Sequence, residues 1–407
     1  MSAQAFDRLV LGVQSTSPGG METHCVDLAA ELVRRGVAVT AILPEPALFD
    51  PLSERFRIAG AEVVRLETTA YRGRAAQLRR VGSLLGLMRR IRPDVVHLHT
   101  GGATGGLLFV LSARLASSAR VIVTEHDVPA ERPPLSNRLS RFALDRLAHG
   151  LVAVSERNAG LRQARLGAPA GGLTSILNGV PILESTAAER NQNRAVVRRR
   201  LGLEADAVVI GSLVRLASGK GLDDLLRAFA LVRRDHPAQL VLVGDGPLRG
   251  EVETLAAELN VHASLHLAGN QAKPLPYLDA MDLFVLAVPA GSMSIALLEA
   301  MARGLPPVIT FCGPEEAVVD GRTGLCAPPH DPEGLASVLS QLVSDGRRRR
   351  ELGDAAAEHV RRAFSVARVA DDLIAVYRGD GGAKPRPQPE GSGGPGADEG
   401  PHEEARP

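Results

Sequence analysis

Residues 282–304 read DLFVLAVPAGSMSIALLEAMARG, and the fold follows from how this stretch is parsed. Leu283 to Val288 is an unbroken apolar run, the pattern of a strand buried on both faces of a parallel sheet. Small and polar residues fill Pro289 to Ser294. Ile295 to Arg303 is built from Ala, Leu, Met and Glu, good helix formers, and is stopped by Gly304 with Pro306 and Pro307 close behind. A strand that ends in a small-residue turn at a helix N-terminus presents free backbone N–H groups and the positive end of a dipole, an arrangement suited to an anion. Glu299 is the one charge in the first turns of this helix. It is either a solvated position or a hydrogen-bond acceptor facing a crevice.

Outward from this stretch the same alternation recurs. Upstream come strand Val208 to Val214, helix Leu222 to Arg234, strand Gln239 to Val243, helix Leu248 to Leu259, strand Ser264 to Leu267 and a helix near Leu275 to Met281. Downstream, helices are expected over Pro332 to Ser344, Arg347 to Phe364 and Val366 to Tyr377. The N-terminal half repeats the theme, with strands at Arg8 to Val13, Val37 to Leu43, Ala61 to Leu66, Asp94 to His99, Val121 to Thr124 and Leu151 to Val154. Helical periodicity lies between them, over Met21 to Arg35, Ala75 to Ile91, Thr104 to Ala116, Leu135 to Ala148 and onward from an N-cap at Ser155. Strands alternating with helices indicate α/β architecture with parallel, doubly wound sheets. The pattern lapses into a polar segment at 184–200, which divides the chain into an N-terminal domain, 1–183, and a C-terminal domain, 201–364. A C-terminal helix, 365–378, can return to the first domain. The stretch 379–407, rich in Gly, Pro, Glu and Ser, reads as a disordered tail.

The chain has 407 residues, 45% of them apolar, enough for two domains that each bury a core. No apolar leader follows Met1 and no run reaches membrane-spanning length. Cys25, Cys312 and Cys326 are scattered without C-x-x-C spacing. Both observations fit a cytoplasmic protein without a structural zinc site. The net charge of +1 provides no global field for nucleic acid or membrane. Arginines nonetheless cluster in the N-terminal half, at Arg72, Arg74, Arg79, Arg80, Arg89, Arg90 and Arg92, then Arg132, Arg138, Arg141 and Arg146. They form either the solvated face of two surface helices or a basic face that meets anionic lipid headgroups.

Two further stretches carry chemistry. Gln14 to Gly20, GlnSerThrSerProGlyGly, is a small-residue turn between strand and helix, but it does not spell the dinucleotide fingerprint G-x-G-x-x-G. Val214 to Gly221, ValArgLeuAlaSerGlyLysGly, places a guanidinium at Arg215 and an ammonium at Lys220 between a strand and a helix, where they can bracket a diphosphate. It lacks the spacing and the hydroxyl of a Walker loop. His97, His99, His126 and Asp127 form a competing constellation: His97 and His99 share a strand face, so they are either metal ligands or structural.

Taken in order, the chain resembles the retaining glycosyltransferases of family 4. The matching pieces are ProGlyGlyMetGluThrHis at 18–24, AspValValHisLeuHis at 94–99, ThrGluHisAsp at 124–127, ValSerGlu at 154–156 and AsnGlyVal at 178–180. They continue with Arg215 and Lys220-Gly221, ValGlyAspGlyPro at 243–247, LeuLeuGluAlaMet at 297–301 and GluAlaValValAspGlyArgThrGly at 316–324. The resemblance implies the GT-B fold, two facing Rossmann-like domains, and transfer of a sugar from a nucleotide donor to a hydroxyl acceptor with retention, without a metal or other cofactor. By the same resemblance, Arg215 and Lys220 hold the donor diphosphate with backbone amides near Ser294 and Ile295, and Glu299 binds the ribose. Gly244 belongs to the donor site, Gly19 and Gly20 line the opposite wall, and His126 lies near the reacting sugar. The acceptor can be lipid-linked, with peripheral membrane contact through the basic N-terminal helices, and nucleic acid is not a partner.

One position departs from the family. The family's Glu-x7-Glu pair has its second member at Glu299, but the first falls on Gly291, with Ala290 before it and Ser292 after. A missing hydrogen-bonded carboxylate costs about 1.5–3 kcal/mol at a transition state, roughly ten- to a hundredfold in rate. The alternative to an active enzyme is therefore an impaired homologue that binds nucleotide sugar as a partner subunit.

Overall fold

The computed structural model describes residues 6–16, 19–66, 74–101, 106–127, 135–183, 185–204, 206–289, 294–310 and 317–380. Gly291 with its neighbours Ala290 and Ser292, Cys312, and the Gly- and Pro-rich tail beyond Asp380 lie outside the described residues.

The first lobe runs β1 (Arg8–Gln14), α1 (Gly20–Arg34), β2 (Ala38–Pro44), α2 (Asp50–Ile58), β3 (Glu62–Leu66), α3 (Arg74–Ile91), β4 (Val95–Thr100), α4 (Leu107–Ala116), β5 (Arg120–Glu125), α5 (Leu135–Leu147), β6 (Gly150–Ala153), α6 (Glu156–Leu166) and β7 (Leu173–Ser175). Its seven strands form one all-parallel sheet in the order β3-β2-β1-β4-β5-β6-β7. Side chains alternate across a strand, so one set faces each way. Leu9 and Leu11 of β1 pack with α1 and with Phe49, Leu52 and Phe56 around α2. Val10 between them packs on the other face with Leu84 and Met88 of α3, Phe109 of α4 and Leu144 of α5.

The second lobe runs α7 (Ala187–Leu201), β8 (Val208–Leu213), α8 (Leu222–Asp235), β9 (Ala238–Val243), α9 (Arg249–Glu258), β10 (Leu265–Gly269), α10 (Leu275–Ala280), β11 (Leu283–Leu286), α11 (Ile295–Ala302), β12 (Pro307–Ile309), β13 (Leu325–Cys326), α12 (Pro332–Ser344), α13 (Gly346–Ala363) and α14 (Val366–Arg378). Its six parallel strands lie in the order β10-β9-β8-β11-β12-β13. The decisive stretch becomes β11 and α11, with β11 near the middle of this sheet and buried on both faces by two core clusters. This is the two-Rossmann-domain arrangement of the GT-B fold.

The polar segment expected to be a linker is instead mostly helix α7. Thr186 and Glu189 form a reciprocal capping box at its start, and Gly202 in the left-handed conformation ends it. Sequence periodicity missed it because it buries little apolar surface and docks through charge. Arg194 and Arg198 each lie 2.7 Å from the Asp282 carboxylate, which also accepts the backbone N–H of Val209 at 2.7 Å. Helix α2 and the short strands β7, β12 and β13 are additional to the elements read from the sequence.

Helix α14 does not stay with the lobe that precedes it. Val369, Leu373, Val376 and Tyr377 complete the first lobe's core beside α1. Its return path lies alongside the outgoing chain: Val180 N–H donates to Phe364 O and Val366 N–H to Val180 O, both at 2.9 Å. Gly179 makes this contact sterically feasible, since a Cβ there would lie 2.7 Å from Val369 Cγ2 and 2.8 Å from Phe364 O. Gly179→Ala is therefore expected to destabilise the protein by about 1–3 kcal/mol through overpacking. Equilibrium denaturation followed by circular dichroism measures this, and a midpoint unchanged from the parent contradicts the account.

Candidate active site

The loops at the carboxyl ends of both sheets meet between the lobes. In the second lobe three close approaches define them. Gly244, at φ +135°, sits where a Cβ would lie 2.1 Å from Val214 O; at Gly246 it would lie 2.2 Å from Leu216 O; at Gly221, with φ +63°, 1.8 Å from Ala287 O. Only glycine permits backbone to stack on backbone this closely. The loops following β8, β9 and β11 are thereby locked together, reinforced by Leu216 N–H donating to Asp245 O at 3.1 Å and Leu248 N–H to Leu216 O at 2.9 Å.

Arg215 and Lys220 project from this platform, with Lys220 directly before Gly221, the residue that caps α8. Among the described residues neither side chain makes a hydrogen bond or an ion pair. Lys220 is close enough to Asp127 of the first lobe for its charge to counter the burial that raises the Asp127 carboxyl. Ser294 caps α11 through its hydroxyl, which accepts Leu297 N–H at 3.3 Å. Ile295 beside it reaches across to the first lobe, 3.5 Å from where a Cβ on Gly20 would stand. The start of α11 thus faces the start of α1, and Gly20 and Ile295 mark the point of contact.

The first wall is organised by a buried carboxyl and four buried histidines. Glu22 accepts the Gly19 N–H at 2.6 Å, so that amide is committed to the turn. Burial, opposed by a hydrogen bond from Ser15, leaves the Glu22 carboxyl raised. His24, His97, His99 and His126 are all buried. His126 N–H donates to Thr100 O at 3.0 Å, fixing the residue at the end of β5, and its Nε2 lies 3.0 Å from His99 Nδ1. His97 stacks on His99 at 4.1 Å, with its own nitrogens 2.7 Å from Tyr377 Oη and Thr124 Oγ1. His24 Nδ1 donates to Gly179 O at 3.3 Å, joining the cluster to the interlobe crossing. Burial pulls His24 down to about 4 and His97 to about 3, with His99 and His126 also well below the usual range, so all four are neutral at pH 7. Both His97 nitrogens are committed to Tyr377 and Thr124, which assigns His97 a packing role. Behind His126, Glu125, Asp145, Arg141 and Arg162 form a buried ion cluster. Arg141, grouped by sequence with the exposed basic face, therefore belongs to the interior, where burial lowers it to about 10.

Glu299 faces the lobe junction from the second turn of α11. Burial first, then Asp27 on α1, raises its carboxyl to about 7, with Arg55 and Arg303 opposing. Asp27 is itself raised by burial to about 6. Sequence reading missed Glu22, Asp27 and Arg55. The helix carrying Arg55 was detectable from its Asp50-Pro51 start and the i, i+4 pair Leu52 and Phe56.

Fold and cleft together are those of the GT-B class. The family models agree: residues 18–182 match Glycosyltransferase Family 4 and residues 205–345 match Glycosyl transferases group 1. The N-terminal match is to family 4 and the C-terminal one to a group 1 glycosyl transferase domain, and between them they span most of the chain. Among its relatives is the lipopolysaccharide core biosynthesis glycosyltransferase LpsE of Rhizobium meliloti, 34% identical over 44% of this chain and 52% of that protein, so the chain spans about half of this relative's length. The GDP-mannose-dependent alpha-(1-6)-phosphatidylinositol monomannoside mannosyltransferase of Mycolicibacterium smegmatis is 28% identical over 82% of this chain and 88% of that protein. Among solved structures, Anabaena Alr3699/HepE in complex with UDP and glucose superposes with a TM-score of 0.77 at 20% identity, covering 92% of this chain and all of that one.

The raised Glu299 and Asp27 carboxyls make stability depend on pH. A carboxyl with a folded-state pKa above its unfolded value contributes stability fully present below the ordinary carboxylate range and lost as pH rises through the folded value, here about 6 to 7. The four neutral histidines act in the opposite sense as pH rises toward 6.5, so the carboxyl contribution is read as a difference between proteins. The parent is expected to lose about 1–3 kcal/mol of stability relative to Glu299→Gln as pH rises from 4.5 to about 7. Thermal or urea denaturation across this range checks it, and parallel pH profiles for the two proteins contradict it.

Proposed function

We propose that the protein is a retaining glycosyltransferase that moves a sugar from a nucleoside-diphosphate donor to a hydroxyl acceptor in the synthesis of a cell-surface polysaccharide, glycolipid or glycoside. The observation that carries this reading is the pair of cations Arg215 and Lys220, whose side chains have no partner among the described residues, on a glycine-locked platform beside the first lobe. As the C1–O bond to the donor phosphate breaks, negative charge collects on the diphosphate, and two fixed cations beside helix N-termini stabilise that charge more than they stabilise the bound donor. The acceptor oxygen bonds to C1 from the face the phosphate leaves, and its proton passes to a phosphate oxygen, so configuration is retained and no protein base is consumed. His126, neutral and fixed by His99 and Thr100, offers the sugar a hydrogen-bonding wall without a competing charge. Glu299 accepts from ribose hydroxyls, protonated or not, through its remaining lone pairs. With the diphosphate charge met by Arg215 and Lys220, the reaction calls for no resident metal.

Support also comes from the relatives. LpsE is named for lipopolysaccharide core biosynthesis, the mycobacterial protein for a GDP-mannose-dependent transfer, and HepE is described with UDP and glucose. Incubation with a panel of UDP-, GDP- and ADP-sugars and acceptors, read as nucleoside diphosphate release, tests the reading. Release should persist in chelator, and Lys220→Ala should lower it about 100- to 1000-fold. Undiminished release in Lys220→Ala overturns the diphosphate role. Donor binding without turnover across acceptors favours the impaired homologue that Gly291 suggests.

A further inference from the structure

The helices α3, α4 and α5 are neighbours on one face of the first sheet, anchored by a common core. Between them they carry nine arginines and a single acidic residue, Asp145. That one carboxylate is turned inward, paired with Arg162 and Arg141 in the buried ion cluster. Among the described side chains, the outer surface of these helices is therefore free of negative charge. It displays Arg79, Arg89 and Arg90 on α3, Arg114 on α4, and Arg138 and Arg146 on α5.

The same surface holds large apolar side chains in solvent: Leu78 is 72% exposed, Leu115 65%, Leu139 63% and Phe142 58%. On α5 the pattern is compact. Arg138, Leu139, Phe142 and Arg146 fall within a single arc of about 100° at 3.6 residues per turn. Arg146 lays its guanidinium over the Phe142 ring, 4.6 Å from the centroid. Apolar tips separated by guanidiniums, with no carboxylate between them, suit neither a water-facing surface nor a dry protein groove. They match the boundary between lipid headgroups and acyl chains, where Leu and Phe leave water and arginine bonds the phosphates bidentately.

We propose that the α3–α4–α5 face, with the exposed arc of α5 at its centre, docks the protein on a membrane surface that bears anionic lipid. Each exposed arginine near such a surface contributes through the surface potential, and the apolar tips add insertion. Because α5 starts close in sequence to His126 and Asp127 of the cleft wall, docking there brings the mouth of the cleft to the bilayer. The proposal holds whether or not the site transfers sugar.

Flotation of the full-length chain with vesicles of phosphatidylcholine alone, or of phosphatidylcholine and phosphatidylglycerol in equal parts, tests it at low and high salt. Strong flotation with the anionic vesicles only, reduced by salt, is the expected result. Arg138→Ala/Arg146→Ala should weaken anionic partitioning about thirtyfold, and Leu139→Ser/Phe142→Ser should weaken it with charge intact. All four side chains are solvent-facing, so both variants should keep the parent's denaturation midpoint. Equal flotation with both vesicle types, no flotation, or variants that partition like the parent overturns the proposal. So does a dimer in analytical ultracentrifugation that dissociates in Leu139→Ser/Phe142→Ser, since a second copy would then be what covers this face.

Discussion

The relation between the two lobes rests on a short piece of backbone pairing. Val180 and the segment Phe364 to Val366 exchange two hydrogen bonds where the chain passes out of the first lobe and back into it. Two crossings bonded side by side constrain rotation more than one strand would. Gly179 lets them approach, and its carbonyl is held by His24, so the crossing is joined to the wall of the cleft. The facing of α1 and α11, the approach of Ile295 to Gly20 and the proximity of Lys220 to Asp127 all depend on this geometry.

The cleft divides charge between its walls. The first wall contributes neutral imidazoles and carboxyls held up by burial, while the second contributes cations whose side chains have no partner among the described residues. Desolvation shifts acids and bases in opposite directions, but both shifts remove charge from the closed interface. An anionic ligand arriving there meets Arg215 and Lys220 with little standing negative charge to displace. Glu299 and Asp27, close enough to raise one another's cost of ionisation, extend the same economy of charge across the junction.

Much of this was legible in the sequence because the signals were local. The apolar run of β11, the glycine stop after α11 and the alternation of elements follow from periodicity and propensity. Arg215, Lys220 and Glu299 stood out in the sequence by their place at strand ends and helix starts, and the structure sets Lys220 near Asp127 and Glu299 near Asp27, both on the first lobe. What escaped was non-local. Helix α7 reads as a polar linker because its stability comes from Arg194 and Arg198 meeting Asp282, more than eighty positions away. Arg141 reads as surface charge because its partner, Glu125, lies on a different element. Asp27 and Arg55 carry no motif, and their relevance to Glu299 appears only when one lobe is set against the other.

The docking of α14 has a consequence for biosynthesis. Phe6, near the beginning of the chain, packs edge-on against Tyr377, near its end, with ring centroids 5.4 Å apart. While the ribosome is still translating the second lobe, the first must wait with α1 and the inner face of its sheet uncovered on one side. The intervening lobe can mature independently, since its own clusters draw on residues between 177 and 364. The nascent chain thus exposes an apolar groove until α14 emerges, an interval in which a chaperone has something to hold and aggregation something to exploit.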